Sequence, residues 1–135
     1  MYSKILLATD GSEDARRATD HAFELAEAFG ASVHVVYVAE TAVPVAYGDY
    51  LRSEGDAVTK SVAARGAQRG IDVVWEVLEG VPHEEIRKYA ERRDVDLIVV
   101  GSRGRSGIER RLLGSVTERL LRTASVPVLV IRAGS

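Results

Sequence analysis

Five short apolar runs rich in β-branched residues punctuate the chain: Ile5 to Ala8, Val33 to Val38, Ile71 to Leu78, Leu97 to Val100 and Val126 to Ile131. Several are apolar at successive positions instead of alternating. That is the mark of strands covered on both faces, as in a parallel sheet. Stretches of helical period separate them. Regular alternation of strand and helix predicts an α/β fold, a parallel sheet with helices on both faces. A doubly wound five-stranded sheet reverses its winding once, and ligands bind outside the C-terminal strand ends at that point.

The intervening segments carry helix signals. Ala15, Ala18, Ala22, Leu25, Ala26 and Phe29 form one stripe; Ser12 can cap it, Glu13 and Asp14 suit its first turn, and Gly30 is a natural stop. A second helix, diluted by Gly55 and Gly66, is expected from about Asp49 to Arg69. Pro82 opens a third, with Ile86, Tyr89 and Ala90 as its apolar face. The last is expected from Ser115 to Thr123, with Val116, Leu120 and Leu121 inward. The polar-aromatic segment from Ala39 to Tyr50 reads as a mobile connection over the mouth of the site.

At 135 residues the chain is expected to form a single domain over 1–135. It has no cysteine, which excludes a disulfide scaffold, a thiolate metal site and thiol chemistry. The net charge of −2 supplies no global field toward nucleic acid or membranes. The first apolar run is too short for a signal peptide or membrane span, so a cytoplasmic location is expected. His21, His34 and His83 sit on different elements and suggest no metal cluster; His21 and His34 read as surface or packing residues, and Trp75 as core or sheet face.

Chemistry concentrates near the C-terminus. Gly101-Ser102-Arg103-Gly104-Arg105-Ser106-Gly107 follows a strand directly. Glycines there allow the backbone to approach a phosphate and aim N–H groups at it. Gly114-Ser115-Val116-Thr117 opens the last helix, where free N–H groups and two hydroxyls make a second anion site. Neither a P-loop nor a dinucleotide fingerprint is present. A Gly-Ser-rich turn with no ligand is the competing reading. Arg103, Arg105, Arg110 and Arg111 surround the loop; they can offset phosphate charge, or form a solvated face.

Gly101-x2-Gly104, nine residues, then Gly114-Ser115 resembles the ATP-binding signature of the universal stress protein family. The opening Ile5-Leu6-Leu7-Ala8-Thr9-Asp10-Gly11-Ser12, the run Val99-Val100-Gly101-Ser102-Arg103-Gly104 and the closing Val126-Pro127-Val128-Leu129-Val130-Ile131 look like its first strand, fourth strand and last strand. The resemblance implies strand order 3-2-1-4-5 and a crevice between the first and fourth strands. It implies ATP as ligand, with or without Mg²⁺, bound by Ala8, Asp10, Val38, Val100, Gly101, Arg103, Gly104, Gly114, Ser115, Val116 and Thr117. Asp10 would take the ribose hydroxyls, with a plain turn aspartate as the alternative. Ala8 and Val38 would line the adenine slot, or simply belong to the sheet core. No metal ligand is identified.

The last strand would lie at a sheet edge with only four residues after Ile131 to cover it. A homodimer through Val126 to Ile131 is therefore expected, and family members of this type are dimeric. The leading function is an ATP-binding stress or signalling protein that switches conformation or partner. The rivals are a weak or partner-dependent ATP hydrolase or phosphotransferase, and a structural dimer that binds no nucleotide.

Overall fold

The computed structural model describes residues 1–103 and 114–132. The elements run β1 (Lys4–Ala8), α1 (Glu13–Phe29), β2 (Ser32–Glu40), α2 (Val45–Gln68), β3 (Val73–Gly80), α3 (Pro82–Arg92), β4 (Leu97–Gly101), α4 (Ser115–Thr123) and β5 (Val128–Ile131). The five strands form one sheet in the order β3-β2-β1-β4-β5, every pairing parallel. The alternation and the expected strand order are both borne out.

Ile5, Leu6 and Leu7 of β1 are completely buried, which is why this strand reads as an unbroken apolar run. Their neighbours fall into two cores. Ile5 and Leu7 pack with Val33, Val35, Val99, Phe23 of α1 and Val62 of α2. Leu6 packs with Val36, Ile98, Val100, Tyr89 of α3 and Leu120 of α4. Thus α1 and α2 cover one face, and α3 and α4 the other.

Local signals set several boundaries. Ser12 Oγ accepts a hydrogen bond from Ala15 N (3.3 Å) at the start of α1. Gly30 ends it in the left-handed conformation, φ 67°, and its N–H donates to Ala26 O. The inward stripe of α1 is Asp14, Ala15, Ala18, Thr19, Ala22, Phe23 and Ala26; Phe29 is exposed. The glycines of α2 are packing sites: a Cβ on Gly55 would lie 2.7 Å from the Tyr37 ring, and one on Gly66 would lie 2.4 Å from Val73 Cγ2.

Four boundaries and placements differ from expectation. The segment from Ala39 to Tyr50 is short on loop: β2 continues to Glu40, and α2 begins at Val45, directly after Pro44. β3 starts at Val73, two positions after the expected Ile71. β5 begins at Val128 rather than Val126, because Pro127 has no N–H; its carbonyl instead accepts from Ile98 N (2.9 Å). Leu121 points outward, at 47% exposure, whereas Leu120 is buried. Trp75 sits on edge strand β3 and is half exposed. Among the described residues no helix is long and apolar enough to cross a membrane.

Candidate functional site

The winding reverses between β1 and β4, so the C-terminal ends of these two strands flank the switch point. At the end of β1, Thr9 N donates to Val36 O (3.0 Å), carrying the ladder one residue further. The chain then turns sharply. Gly11 N donates to Thr9 Oγ1 (3.1 Å) and Ser12 N to Asp10 Oδ1 (2.9 Å). Asp10 is therefore a turn-forming aspartate, half-buried at the mouth. A carboxylate has about four acceptor positions, so this role is compatible with accepting from ribose hydroxyls.

Ala8, Val38, Val100 and Val116 come from four elements and join the same apolar cluster. Val100 is buried; Ala8, Val38 and Val116 are partly exposed at its C-terminal margin. The expected adenine-lining residues are thus brought together.

The end of β4 is a junction. Gly101 O accepts from the buried Thr117 hydroxyl (2.8 Å). Ser102 N donates to Ile131 O (2.8 Å), and Ser102 O accepts from Gly114 N (2.6 Å). Ser102 Oγ donates to Asp14 Oδ2 (2.7 Å). Residues 101 and 102 are in this way tied to α1, α4 and β5. Gly101 has a packing reason to be glycine: a Cβ there would lie 2.7 Å from Asp14 Cβ and 2.8 Å from Asp14 C.

Helix α4 starts with Gly114 as its N-cap, which offers no side-chain oxygen, and Ser115 is exposed. The first intrahelical bond is donated by Glu118 N to Gly114 O (2.9 Å). Among the described residues the amides of Ser115, Val116 and Thr117 are the donors that this helix start leaves without an intrahelical partner. Thr117 contributes only its amide, since its hydroxyl proton is directed at Gly101 O. Gly104, expected to share the phosphate, and Arg105, Arg110 and Arg111 lie outside the described residues.

Two site-adjacent residues escape sequence reasoning. Asp14 was expected only to complement the helix dipole; it is 3% exposed and grips Ser102 and Arg103. Burial by itself pushes the Asp14 carboxyl upward, but the hydrogen bonds from Ser102 and Arg103 and the Arg103 charge outweigh it and hold the carboxyl below its usual value. Its place on the Asp14-Ala18-Ala22-Ala26 line was the available signal. Ser102 is the second. Arg103, expected to face phosphate, instead places its guanidinium against Asp14.

The histidines stay apart from this site. His34 on β2 is buried and shares a 2.8 Å hydrogen bond with the Tyr89 hydroxyl of α3. His21 is exposed on α1, and His83 lies in the first turn of α3. Among the described residues no group of three or more His, Cys, Asp or Glu could hold a metal ion.

Comparison with known proteins gives a consistent picture. A family model described as the universal stress protein family matches residues 1–132. A universal stress protein of Methanocaldococcus jannaschii is 38% identical over 141 residues, covering 98% of this chain and 83% of that protein. The solved structure of another universal stress protein of the same organism superposes with a TM-score of 0.84 at 30% identity, covering 100% of this chain and 99% of that one. A universal stress protein crystallised in complex with cAMP superposes with a TM-score of 0.78 at 28% identity, covering 98% of this chain and 99% of that one.

Proposed function

The chain belongs to the universal stress protein family, and from that membership we propose that it binds an adenine nucleotide, ATP foremost, and acts as a nucleotide-dependent switch of conformation or partner. The observation that carries this reading is the glycine-capped start of α4 beside the end of β4. Among the described residues three amides there have no cap, and they are suited to phosphate oxygens, because a helix start concentrates partial positive charge. Ala8, Val38 and Val116 supply an apolar margin for a base, and Asp10 a carboxylate for a ribose. The donor set therefore fits a nucleotide. Any Mg²⁺ would arrive with the phosphates, and the Ser115 hydroxyl and the Asp10 carboxylate are the residues of this site that would offer it oxygen. The cAMP complex of a relative supports an adenine ligand in this family.

In this reading the phosphates rest on Gly104, Gly114 and the amides of Ser115, Val116 and Thr117. Val100 and Gly101 form the floor, and Arg103 stands at the rim. Binding, not hydrolysis, is the proposed activity, and the cytoplasm is the proposed location. The protein is a homodimer that pairs β5 with its copy across a twofold axis. Among the described residues β5 pairs only with β4 on its inner side, which leaves its outer row of N–H and C=O groups for a second copy.

The test is direct. Protein purified without added nucleotide is denatured, and any released small molecule is identified by mass spectrometry; an adenine nucleotide is expected. By isothermal titration, Gly114→Val should abolish ATP binding with the circular dichroism spectrum retained. Ser115→Ala should weaken binding by about 0.5–1.5 kcal/mol. Unchanged affinity in Gly114→Val would place the site elsewhere.

A further inference from the structure

Helix α3 is lightly attached, and its attachment runs through a titratable pair. Three of its 11 residues, Ile86, Tyr89 and Ala90, are buried, against seven in α1. Val81 at its start provides no side-chain cap. Past its other end Asp94 holds the left-handed conformation, φ 54°, which a Cβ strains. Tyr89 is the bulkiest of the three buried side chains, and its hydroxyl shares a 2.8 Å hydrogen bond with His34 Nδ1 on β2. The two residues are 1% and 6% exposed, and their rings meet edge to face at 5.8 Å. Charged groups face the pair from each element around it: Lys4 from β1, Asp72 and Glu76 from β3 and the residue before it, Arg92 and Arg93 from α3. The guanidiniums of Arg92 and Arg93 lie 5.6 and 5.3 Å from the centre of the Tyr89 ring. Arg93 also pairs with Glu76 (3.6 Å), and Lys4 Nζ donates to Arg93 O (3.1 Å).

A proton on His34 would add a buried cation beside Arg93 and Lys4, with Asp72 as the opposing charge. An imidazolium also donates from both ring nitrogens, so the Tyr89 hydroxyl could no longer donate to it. We propose that α3 is a proton-released flap: when it lifts, His34 meets water and takes up a proton, and the protonated ring keeps α3 from reseating while the strands stay paired. Acid thereby raises the population in which Val36 and Leu78, packed with Ile86 and Tyr89 when α3 is seated, face solvent. The open form carries an ordinary imidazole that titrates near about pH 6.5, whereas burial and the neighbouring cations make the seated form resist the proton. The open fraction is therefore level above about pH 7 and grows as pH falls through about 6.5.

Amide hydrogen exchange of the whole chain, read by mass spectrometry at about pH 7.5 and about pH 5.5 and corrected for the chemical exchange rate at each pH, tests this. The opening equilibrium of residues 84–93 should rise between about threefold and tenfold at the lower pH. Low concentrations of urea separate a flap from global unfolding, because the response to urea scales with the surface exposed. Exchange within residues 84–93 should respond weakly to urea, and the slowest amides of α1 steeply. Three variants assign the cause. His34→Gln, whose amide can still accept from the Tyr89 hydroxyl, should hold the change with pH to within about twofold. His83→Gln removes the other histidine of α3, in its first turn, and should keep the wild-type rise. Tyr89→Phe leaves His34 under the ring without its partner and should open α3 roughly tenfold more at both pH values. Should His34→Gln not fold, His83→Gln and the urea response of the wild type decide. A wild-type rise below about twofold overturns the inference, as does a rise that survives in His34→Gln or disappears in His83→Gln. A urea response of α3 as steep as that of α1 also overturns it, since α3 would then open only when the whole chain unfolds.

Discussion

Replacing Gly101 by alanine separates two reasons for a glycine at the end of β4. One is close approach of a ligand; the other is close approach of α1. Gly101 has no positive φ, so alanine is conformationally acceptable and the cost is steric. The added methyl would meet Asp14 Cβ at 2.7 Å, Asp14 C at 2.8 Å and Ala15 N at 3.0 Å. Two of these are backbone atoms of a helix and cannot rotate aside. Overpacking costs about 1–3 kcal/mol. Backing α1 away also strains the 2.7 Å bond from Ser102 to the Asp14 carboxylate, a charged hydrogen bond of a kind worth about 1.5–3 kcal/mol. A loss of about 3–5 kcal/mol is expected. With a urea slope of about 2 kcal/mol/M, the unfolding midpoint should fall by roughly 1.5–2.5 M. Gly30→Ala is the control. Its methyl meets nothing within 4 Å and pays only for φ 67°, about 1–2 kcal/mol. A loss under about 1 kcal/mol in Gly101→Ala, with ATP binding abolished, would refute the packing argument and return this glycine to the ligand.

Three further outcomes are expected. Burial foremost, then the charges of Arg93 and Lys4, hold the His34 imidazole below its ordinary value against the opposing pull of Asp72. The unfolded chain therefore takes up a proton first, so stability is full above about pH 6.5 and falls as pH drops below it; a His34→Gln variant with the wild-type slope of midpoint against pH would remove His34 as the cause. Thr117→Val removes the buried bond to Gly101 O and should cost about 1–3 kcal/mol in urea melts, and a neutral result would mean that this tether does not hold α4. Val130→Glu places a charge on the β5 edge and should give monomeric or insoluble protein, whereas wild-type protein that is monomeric by light scattering at micromolar concentration would count against the dimer.

What was legible in the sequence was local or periodic. Ser12 and Gly30 bound α1 by contacts within four residues, and both were readable. The both-faces burial of β1 gave the parallel sheet. The start of α2 was not legible, because Val45, Tyr47 and Tyr50 in its first turns are exposed and present no inward stripe to recognise. The roles of Asp14 and Arg103 were hidden for another reason. Their partner lies 89 positions away, and a charge in a first helical turn already has a sufficient local explanation. Thr117 looked like a free hydroxyl until the fold placed Gly101 O beside it. His34 read as a surface or packing residue, and only the fold paired it with Tyr89.

The position of β1 also shapes how the chain can come into being. β1 pairs on one side with β2, beginning Lys4 with Ser32, and on the other with β4, Ile5 with Leu97. The first pairing closes a short stretch of chain; the second must wait for β4. On a ribosome adding about 5–20 residues per second, the fourth strand follows the first by roughly 5–20 s. Through that interval β1, β2 and β3 can assemble with α1 and α2, but the inner edge of β1 has no neighbour. Its three fully buried residues, Ile5, Leu6 and Leu7, face that delay with one flank bare. The order of synthesis thus makes an amino-terminal three-stranded half available first, and the arrival of β4, with β5 close behind, both closes the exposed edge and creates the crevice between β1 and β4. The site is the seam of the two halves, so it exists only once β4 has joined β1.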